Sequence, residues 1–295
     1  MSHDQNFKNL ILDYPLQSLR FFAAAEAGDW LAGAKVVPVR QEQLQERLGE
    51  RFRELDVPLL VEWPDGRREA LLFVLEEESD PSRFSIHRLA HYCLDLAELF
   101  ETDRVVPVVI FLRGIAPRYR LELGGERHRF LDFSYLACEL GTLPYEDYRE
   151  SDNIVARINL PNMRFAPEQK LETYAYAARG LVALEPDPER RLKYIDFIDI
   201  YAHLDDNERE RYQHEYPDEA EIMSSFSERF IQQGEQIGVR KGEAKVLLNQ
   251  LKLKFGEVPQ AIVDQVDAAD ADTLFRWSGR ILTAAGIEEV LREDG

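Results

Sequence analysis

The sequence predicts an α/β protein whose central sheet is mixed and flanked by helices. Two β-type segments, residues 57–63 and 68–79, surround a turn signal and predict an antiparallel hairpin. A helix-type segment, residues 84–101, leads to a third β-type segment at residues 104–114, and this order favours a parallel crossover. From residue 161 onward the apolar residues mainly follow a helical period. The sheet is therefore expected to precede a helical region.

The hairpin is predicted from the Asp65-Gly66 dipeptide, a strong turn signal between β-type segments. The apolar run ALLFVL, residues 70–75, predicts a central strand that is covered on both faces. Residues 118–140 contain further β-type segments. The helix between the strands is predicted from apolar residues that recur every three to four positions: Leu89, Tyr92, Cys93, Leu96 and Phe100.

Residues 1 to about 55 are predicted to be helical. Within residues 41–55, Leu44, Leu48, Phe52 and Leu55 follow each other at intervals of four, four and three. That spacing puts the four side chains on one face of a helix, and the opposite face is charged. This segment is therefore expected to pack one stripe against a core.

A chain of 295 residues is longer than most single domains, which predicts more than one. We expect an α/β domain over residues 1–160, a helical extension over 161–235 and a small C-terminal helical domain over 244–295. The polar, glycine-containing run at 232–245 is the predicted linker. Asp270 or Asp272 is expected to cap the last long helix. The apolar set expected in the C-terminal core includes Leu247, Leu251, Phe255, Ile262, Leu274, Trp277 and Ile281.

Composition limits the classes of partner. The formal net charge is −19, and this disfavours DNA as a partner unless basic residues cluster locally, because DNA binding gains affinity by neutralising phosphates. No basic segment precedes an apolar run at the N-terminus, so we expect a cytoplasmic protein without a membrane partner. Cys93 and Cys138 are expected to be buried thiols. The sequence leaves open whether the chain forms a homo-oligomer.

Acidic residues lie at one predicted end of the hairpin. Asp56 begins the first strand, and Glu76, Glu77 and Glu78 end the second. Clustered carboxylates repel one another, and a Mg²⁺ or Mn²⁺ ion would compensate them and could serve phosphodiester cleavage. The alternative is that the strand leaves the sheet at Glu76 and the acids are solvated.

The turn determines whether Asp56 and Glu76 can meet. A two-residue turn at Asp65-Gly66 pairs residues whose numbers sum to 131, which puts Asp56 and Glu76 on opposite faces. A three-residue loop with a bulge changes the sum to 132 and pairs them directly. The metal-site hypothesis therefore requires a bulge or an equivalent irregularity.

Several of these segments resemble the Rpn, or YhgA-like, transposase family of the PD-(D/E)XK nuclease superfamily. The resemblance rests on HDQNFK at residues 3–8, the Asp56 hairpin, EEES at 76–79, and the R-x-x-x-Y spacing of Arg88 and Tyr92. Residues 246–291 also resemble a small C-terminal domain attached to such proteins. The resemblance implies a restriction-endonuclease-like fold for residues 1–160 and a metal-dependent DNA endonuclease.

The resemblance also implies roles for individual residues. Asp56 and Glu76 would be the Mg²⁺ or Mn²⁺ ligands, and Glu78 would be the third catalytic position, where the family has Gln and the superfamily Lys. Lysine at this position can stabilise negative charge, whereas Glu78 adds to it. Arg88 and Tyr92 would contact phosphate or support the acids, unless they are a surface arginine and a core tyrosine.

The remaining candidates are His3, Asp4 and a histidine pair. His3 and Asp4 match the start of the family and would lie near the site, although Asp4 also suits a helix N-cap. His87 and His91 have i, i+4 spacing but no third His or Cys nearby in the sequence, which argues against zinc. Two hypotheses follow: a metal-dependent DNA endonuclease, or a catalytically degenerate member of the same fold that acts as a binding or regulatory module.

Overall fold

The structure, a computed structural model, describes residues 3–28, 33–39, 57–66, 68–76, 84–221 and 242–292. For residues 3, 4, 68–76 and 271 the description is limited to the backbone. The chain divides into two compact units, Met1–Met223 and Ser224–Gly295. The three-part division expected from the sequence stays a prediction.

The described part of the first unit contains a five-stranded sheet in the order β1-β2-β3-β4-β7 and a separate β5-β6 hairpin. The strands are β1 (Lys35–Pro38), β2 (Val57–Glu62), β3 (Arg68–Glu76), β4 (Val105–Phe111), β5 (Arg120–Gly124), β6 (Arg129–Ser134) and β7 (Leu136–Glu139). The first three strands pair antiparallel, whereas β3 with β4 and β4 with β7 pair parallel. The predicted mixed α/β class is confirmed.

Helix α3 (Ile86–Phe100) connects β3 to β4, as the crossover prediction requires. Ser85 caps its N-terminus by accepting a hydrogen bond from the Arg88 backbone N–H. The buried face of α3 includes Leu89 and Leu96 and packs in one core cluster with Val109 of β4. Apolar burial along this face is the main stabilisation that holds the helix on the sheet.

Helices dominate the rest of the first unit. They are α1 (His3–Asp13), α2 (Pro15–Phe22), α4 (Ile154–Ile158), α5 (Lys170–Leu184), α6 (Pro188–Ala202) and α7 (Asp206–Glu215). Phe7 of α1 packs against Phe197 of α6, with ring centroids 5.2 Å apart. The N-terminal helix is thereby fixed to a helix that begins some 175 residues later in the chain. Within the described ranges, no helix is both long and apolar enough to cross a membrane.

The second unit is helical. Helix α8 covers residues 242–255 and is followed by α9 (Gln260–Ala268), α10 (Ala271–Arg280) and α11 (Ile287–Val290). Asp270 caps α10 by accepting a hydrogen bond from the Thr273 N–H at 2.7 Å, as expected. All seven apolar residues expected in this core are present in one cluster, with Phe255 and Ile262 partly buried.

Strand β1 corrects the prediction that residues 1 to about 55 are helical. Lys35–Pro38 pairs with β2 at the edge of the sheet, from Lys35 opposite Glu62 to Pro38 opposite Leu59. The β-branched Val36 and Val37 favour a strand, and proline is tolerated at a sheet edge. The helix expected at residues 41–55 lies outside the described residues.

The hairpin register differs from both alternatives considered for it. Val57 faces Phe73 and Glu62 faces Arg68, so paired numbers sum to 130. The connection is longer than two or three residues, because Trp63, which was expected to end the first strand, begins a turn instead. The Gly66 N–H donates to the Trp63 carbonyl at 3.0 Å, and Gly66 has a φ of 84°. Proline and glycine at the second and fourth positions are typical of such a turn.

Both cysteines are buried and free, as expected from the sequence. Burial raises the pKa of the Cys93 thiol to about 12; burial, and secondarily the charge of Glu139, raise the pKa of Cys138 to about 12. Since the thiolate is the reactive species, the native protein should not react with a disulfide reagent at pH 8 within minutes. After denaturation two thiols per chain should react. Rapid reaction of the native protein would contradict the burial of these side chains.

Candidate functional site

The carboxyl ends of three parallel strands form one edge of the sheet. Glu76 ends β3, Phe111 ends β4 and Glu139 ends β7, and the register puts the three residues in one row. Ligand sites of α/β proteins commonly lie outside the carboxyl ends of parallel strands. This row, called the carboxyl edge below, is therefore where chemistry is expected.

Glu139 connects the carboxyl edge to the segment that follows β4. Its Oε1 accepts hydrogen bonds from the Ala116 backbone N–H at 2.7 Å and from the Tyr119 hydroxyl at 2.5 Å. The hydrogen bond from Tyr119 to Glu139 is the main cause that raises the pKa of Tyr119. Both interactions use one carboxylate oxygen, so Glu139 positions the root of the β5-β6 hairpin.

Aromatic side chains pack behind the middle of the carboxyl edge. The Phe84 ring contacts those of Phe111 and Tyr135, with centroid separations of 5.7 and 5.1 Å. The Tyr135 hydroxyl donates to the Arg118 carbonyl at 2.8 Å. This packing gives the edge a rigid apolar support, which a site built on strands requires.

Of the residues predicted to form the metal site, only Glu76 belongs to the described ranges, and only its backbone is described. Glu76 ends β3, as predicted, and its backbone lies at the carboxyl edge. Asp56 and Glu78 lie outside the described residues. Glu139 belongs to the same row but was not identified from the sequence. The available signal was a glutamate at the end of a β-type apolar segment, as at Glu76, whereas its partners Ala116 and Tyr119 lie about twenty residues away and share no local motif.

The predicted supporting residues lie on two helices. Arg88 is exposed on the first turn of α3, whereas Tyr92 is buried in the core cluster beneath that helix. His87 and His91 are exposed on α3. His3 and Asp4 form the start of α1, where only the backbone is described. No group of three or more His, Cys, Asp or Glu side chains suited to a metal occurs within the described ranges.

A second candidate location is a cleft of about 300 Å³ between α1 and α6. Burial raises the pKa of Asp199, although the hydrogen bond that it accepts from Tyr174 opposes this effect. Burial, and secondarily the charge of Asp199, raise the pKa of Asp196. The cleft is lined by Asn6, Asn9, Lys193, Tyr194, Asp196, Phe197, Asp199 and Ile200.

Contacts within the first unit account for most polar groups of this cleft. Asp13 accepts hydrogen bonds from the Lys193 ammonium and the Tyr194 hydroxyl, both at 2.6 Å. Asp199 accepts the Tyr174 hydroxyl at 2.5 Å. Structural networks shift pKa values as active sites do, so the shifts alone do not assign chemistry to the cleft.

Comparisons with known proteins find no match for this chain among protein-family models, curated proteins or solved structures.

Proposed function

We propose that the first unit is a restriction-endonuclease-like domain that hydrolyses phosphodiester bonds of DNA with Mg²⁺ or Mn²⁺. The observation that carries this proposal is the position of Glu76, which ends a parallel strand within the sheet, in one row with Phe111 and Glu139. The mixed sheet with a helix between β3 and β4 agrees with the fold that the family resemblance implies. Residues 1–160 would contain the catalytic part.

Asp56 and Glu76 are the proposed ligands. Their carboxylate oxygens fit the ion, since Mg²⁺ and Mn²⁺ prefer oxygen ligands. The register of β2 and β3, in which paired numbers sum to 130, would support the pair if it continued one residue before Val57: even-numbered residues then share a face, and Asp56, opposite Val74, would lie diagonal to Glu76 rather than directly across from it. When bound, the ion would stabilise the charge that develops on the phosphate oxygens. The proposed role of exposed Arg88 is to bind a neighbouring phosphate.

Glu139 is not proposed as a further ligand. Two strand spacings, about 10 Å, separate its backbone from that of Glu76, with Phe111 between them. Its carboxylate also holds Ala116 and Tyr119. We therefore assign Glu139 the role of positioning the segment beside the edge.

The second candidate function is a degenerate nuclease fold that acts as a binding or regulatory module. Two points favour it: the formal net charge of −19, and Glu78, which the family resemblance aligns with the lysine of the superfamily. A carboxylate at that position cannot orient a nucleophile as an ammonium group would. It also adds to the negative field that opposes a phosphate backbone.

The two functions predict different results in a plasmid-nicking assay. The endonuclease should be weak, more active with Mn²⁺ than with Mg²⁺, and inactive in EDTA. Asp56→Asn and Glu76→Gln should each reduce the nicking rate by more than about 100-fold. Mutation of outer-shell partners of a metal already lowers metal affinity or activity by roughly 10- to 100-fold, and a direct ligand should matter more. Mn²⁺ should raise the melting temperature of the wild type but not that of Asp56→Asn.

Glu62→Gln provides the matched control, because Glu62 ends β2 at the turn of the same hairpin. It should nick DNA like the wild type. Asp56 would be excluded as a ligand if Asp56→Asn nicked DNA as fast as the wild type, or if Mn²⁺ raised the melting temperature of this variant as much as that of the wild type. No nicking by the wild type or by Glu78→Lys, with no effect of Mn²⁺ on melting, would favour the binding module.

A further inference from the structure

The β5-β6 hairpin is inserted between β4 and β7, the two strands that end at Phe111 and Glu139. Its root is held by the bonds of Ala116 and Tyr119 to Glu139 and by Leu121, which is buried in the core cluster. Nearly all other residues from 113 to 130 are exposed. The hairpin, called the arm below, is thus anchored by its root beside the carboxyl edge.

The arm is locally basic. Residues 113–134, the hairpin together with the segment that joins it to β4, include five arginines and three acids, which gives a formal charge of +2 in a chain with a total of −19. Arg120 pairs with Asp132, and Arg129 pairs with Glu122 at 2.9 Å. Arg113, just after β4, and Arg127, at the tip, are exposed and pair with no acid among the described residues.

An exposed aromatic ring lies near the tip of the hairpin, three residues after Arg127. The Phe130 side chain is 81% exposed, and its ring centroid lies 6.3 Å from that of His128 at the tip. A phenyl ring so exposed contributes little to folding. Exposed aromatic rings beside basic residues are typical of surfaces that stack unpaired bases and contact the phosphates between them.

We infer that the β5-β6 hairpin binds a single-stranded nucleic-acid segment at the carboxyl edge, with Phe130 stacked on a base and Arg113 and Arg127 at phosphates. Because the hairpin would then position a substrate beside Glu76, this inference rests on the proposed function. A single strand is favoured over a duplex because stacking on Phe130 requires an unstacked base. The local positive charge also favours a polyanion over an uncharged protein surface.

The test measures fluorescence anisotropy of a labelled 20-nucleotide single strand and of its duplex in EDTA, at 50 to 200 mM KCl. The full chain should bind the single strand more tightly. Phe130→Ala should weaken this binding by about 5- to 150-fold, the range for loss of one stacked base. The slope of log affinity against log salt concentration is negative, and Arg127→Gln should make it shallower by about 0.7. Phe275→Ala, at a phenylalanine of the other unit that is 76% exposed, should bind like the wild type.

Equal binding by Phe130→Ala and wild type would overturn the inference, and so would absence of single-strand binding by the wild type at 50 mM KCl. Self-association that Phe130→Ala abolishes, without nucleic-acid binding, would overturn it in favour of a protein contact. If Phe130→Ala loses single-strand binding and the wild type cuts no DNA with Mn²⁺, the proposed role of the hairpin would be supported and the proposed endonuclease activity would not. If the wild type cuts DNA and Phe130→Ala changes neither cleavage nor binding, the endonuclease would be supported and the role of the hairpin would be contradicted.

Discussion

Gly180→Ala should destabilise the first unit by about 1 to 3 kcal/mol, although alanine is the better helix former by roughly 1 kcal/mol. Gly180 lies in α5, and a Cβ atom there would be 2.5 Å from Arg157 Nε and 2.8 Å from Arg157 Cβ. Arg157 is buried, and its guanidinium donates to the Tyr176 carbonyl at 2.8 Å. Because these contacts fix the side chain, it cannot yield at low cost.

Gly279→Ala is the matched control, since Gly279 lies in helix α10 and a Cβ atom there would meet nothing within 4 Å. Relief from glycine's backbone entropy should stabilise the second unit by about 0.5 to 1 kcal/mol. Calorimetric melts of the full chain should therefore show opposite shifts for the two variants. A melting temperature of Gly180→Ala at or above that of the wild type would mean that Arg157 moves aside freely.

The sequence predicted the centre of the sheet well because each of its segments carries a clear local signal. The α3 stripe from Leu89 to Leu96 has a helical spacing, and the apolar run at residues 70–75 has the length of a strand and follows a turn signal. Strand β1 lacked this support. It has four residues, and its β-structure depends on pairing with β2, which lies about twenty residues later.

The register was predicted incorrectly because Asp65-Gly66 was interpreted without the residues before it. In Trp63-Pro64-Asp65-Gly66, proline favours the second turn position and glycine the fourth, so the local chemistry already indicated a longer connection.

The candidate site was only partly predictable for another reason. Acids at strand ends can be located from the sequence, but the hydrogen bonds of Glu139 depend on a hairpin that returns from β4.

Buried tyrosines should make the first unit unfold steeply above pH 10. Burial is the largest cause that raises the pKa of four phenols in helical parts of the unit. They are Tyr14, Tyr174, Tyr194 and Tyr212. Three of them also donate to carboxylates: Tyr14 to Glu185, Tyr174 to Asp199 and Tyr194 to Asp13.

The sign of the effect follows from proton linkage. A phenol whose folded pKa exceeds its unfolded value of about 10 contributes its full stability below pH 10, and this contribution is lost as the pH rises further. At pH 11 four such groups cost about 5 to 6 kcal/mol, comparable to the stability of a typical domain. Phenolate absorbance should therefore show these tyrosines ionising together with the loss of helical circular dichroism. Their ionisation in a protein that keeps its helices would contradict the expected burial.

Two phenylalanine variants separate burial from hydrogen bonding at pH 7. The Tyr212 hydroxyl is buried and has no hydrogen-bond partner within the described ranges, so Tyr212→Phe removes an unpaired polar group and should be neutral or stabilising. Tyr14→Phe leaves the buried Glu185 carboxylate without that donor and should cost about 1 to 3 kcal/mol. In both variants the loss of stability between pH 7 and pH 11 should be smaller than in the wild type, because each variant lacks one of the phenols whose ionisation destabilises the fold. Equal losses for the two variants at pH 7 would show that the Tyr14–Glu185 bond contributes nothing beyond packing.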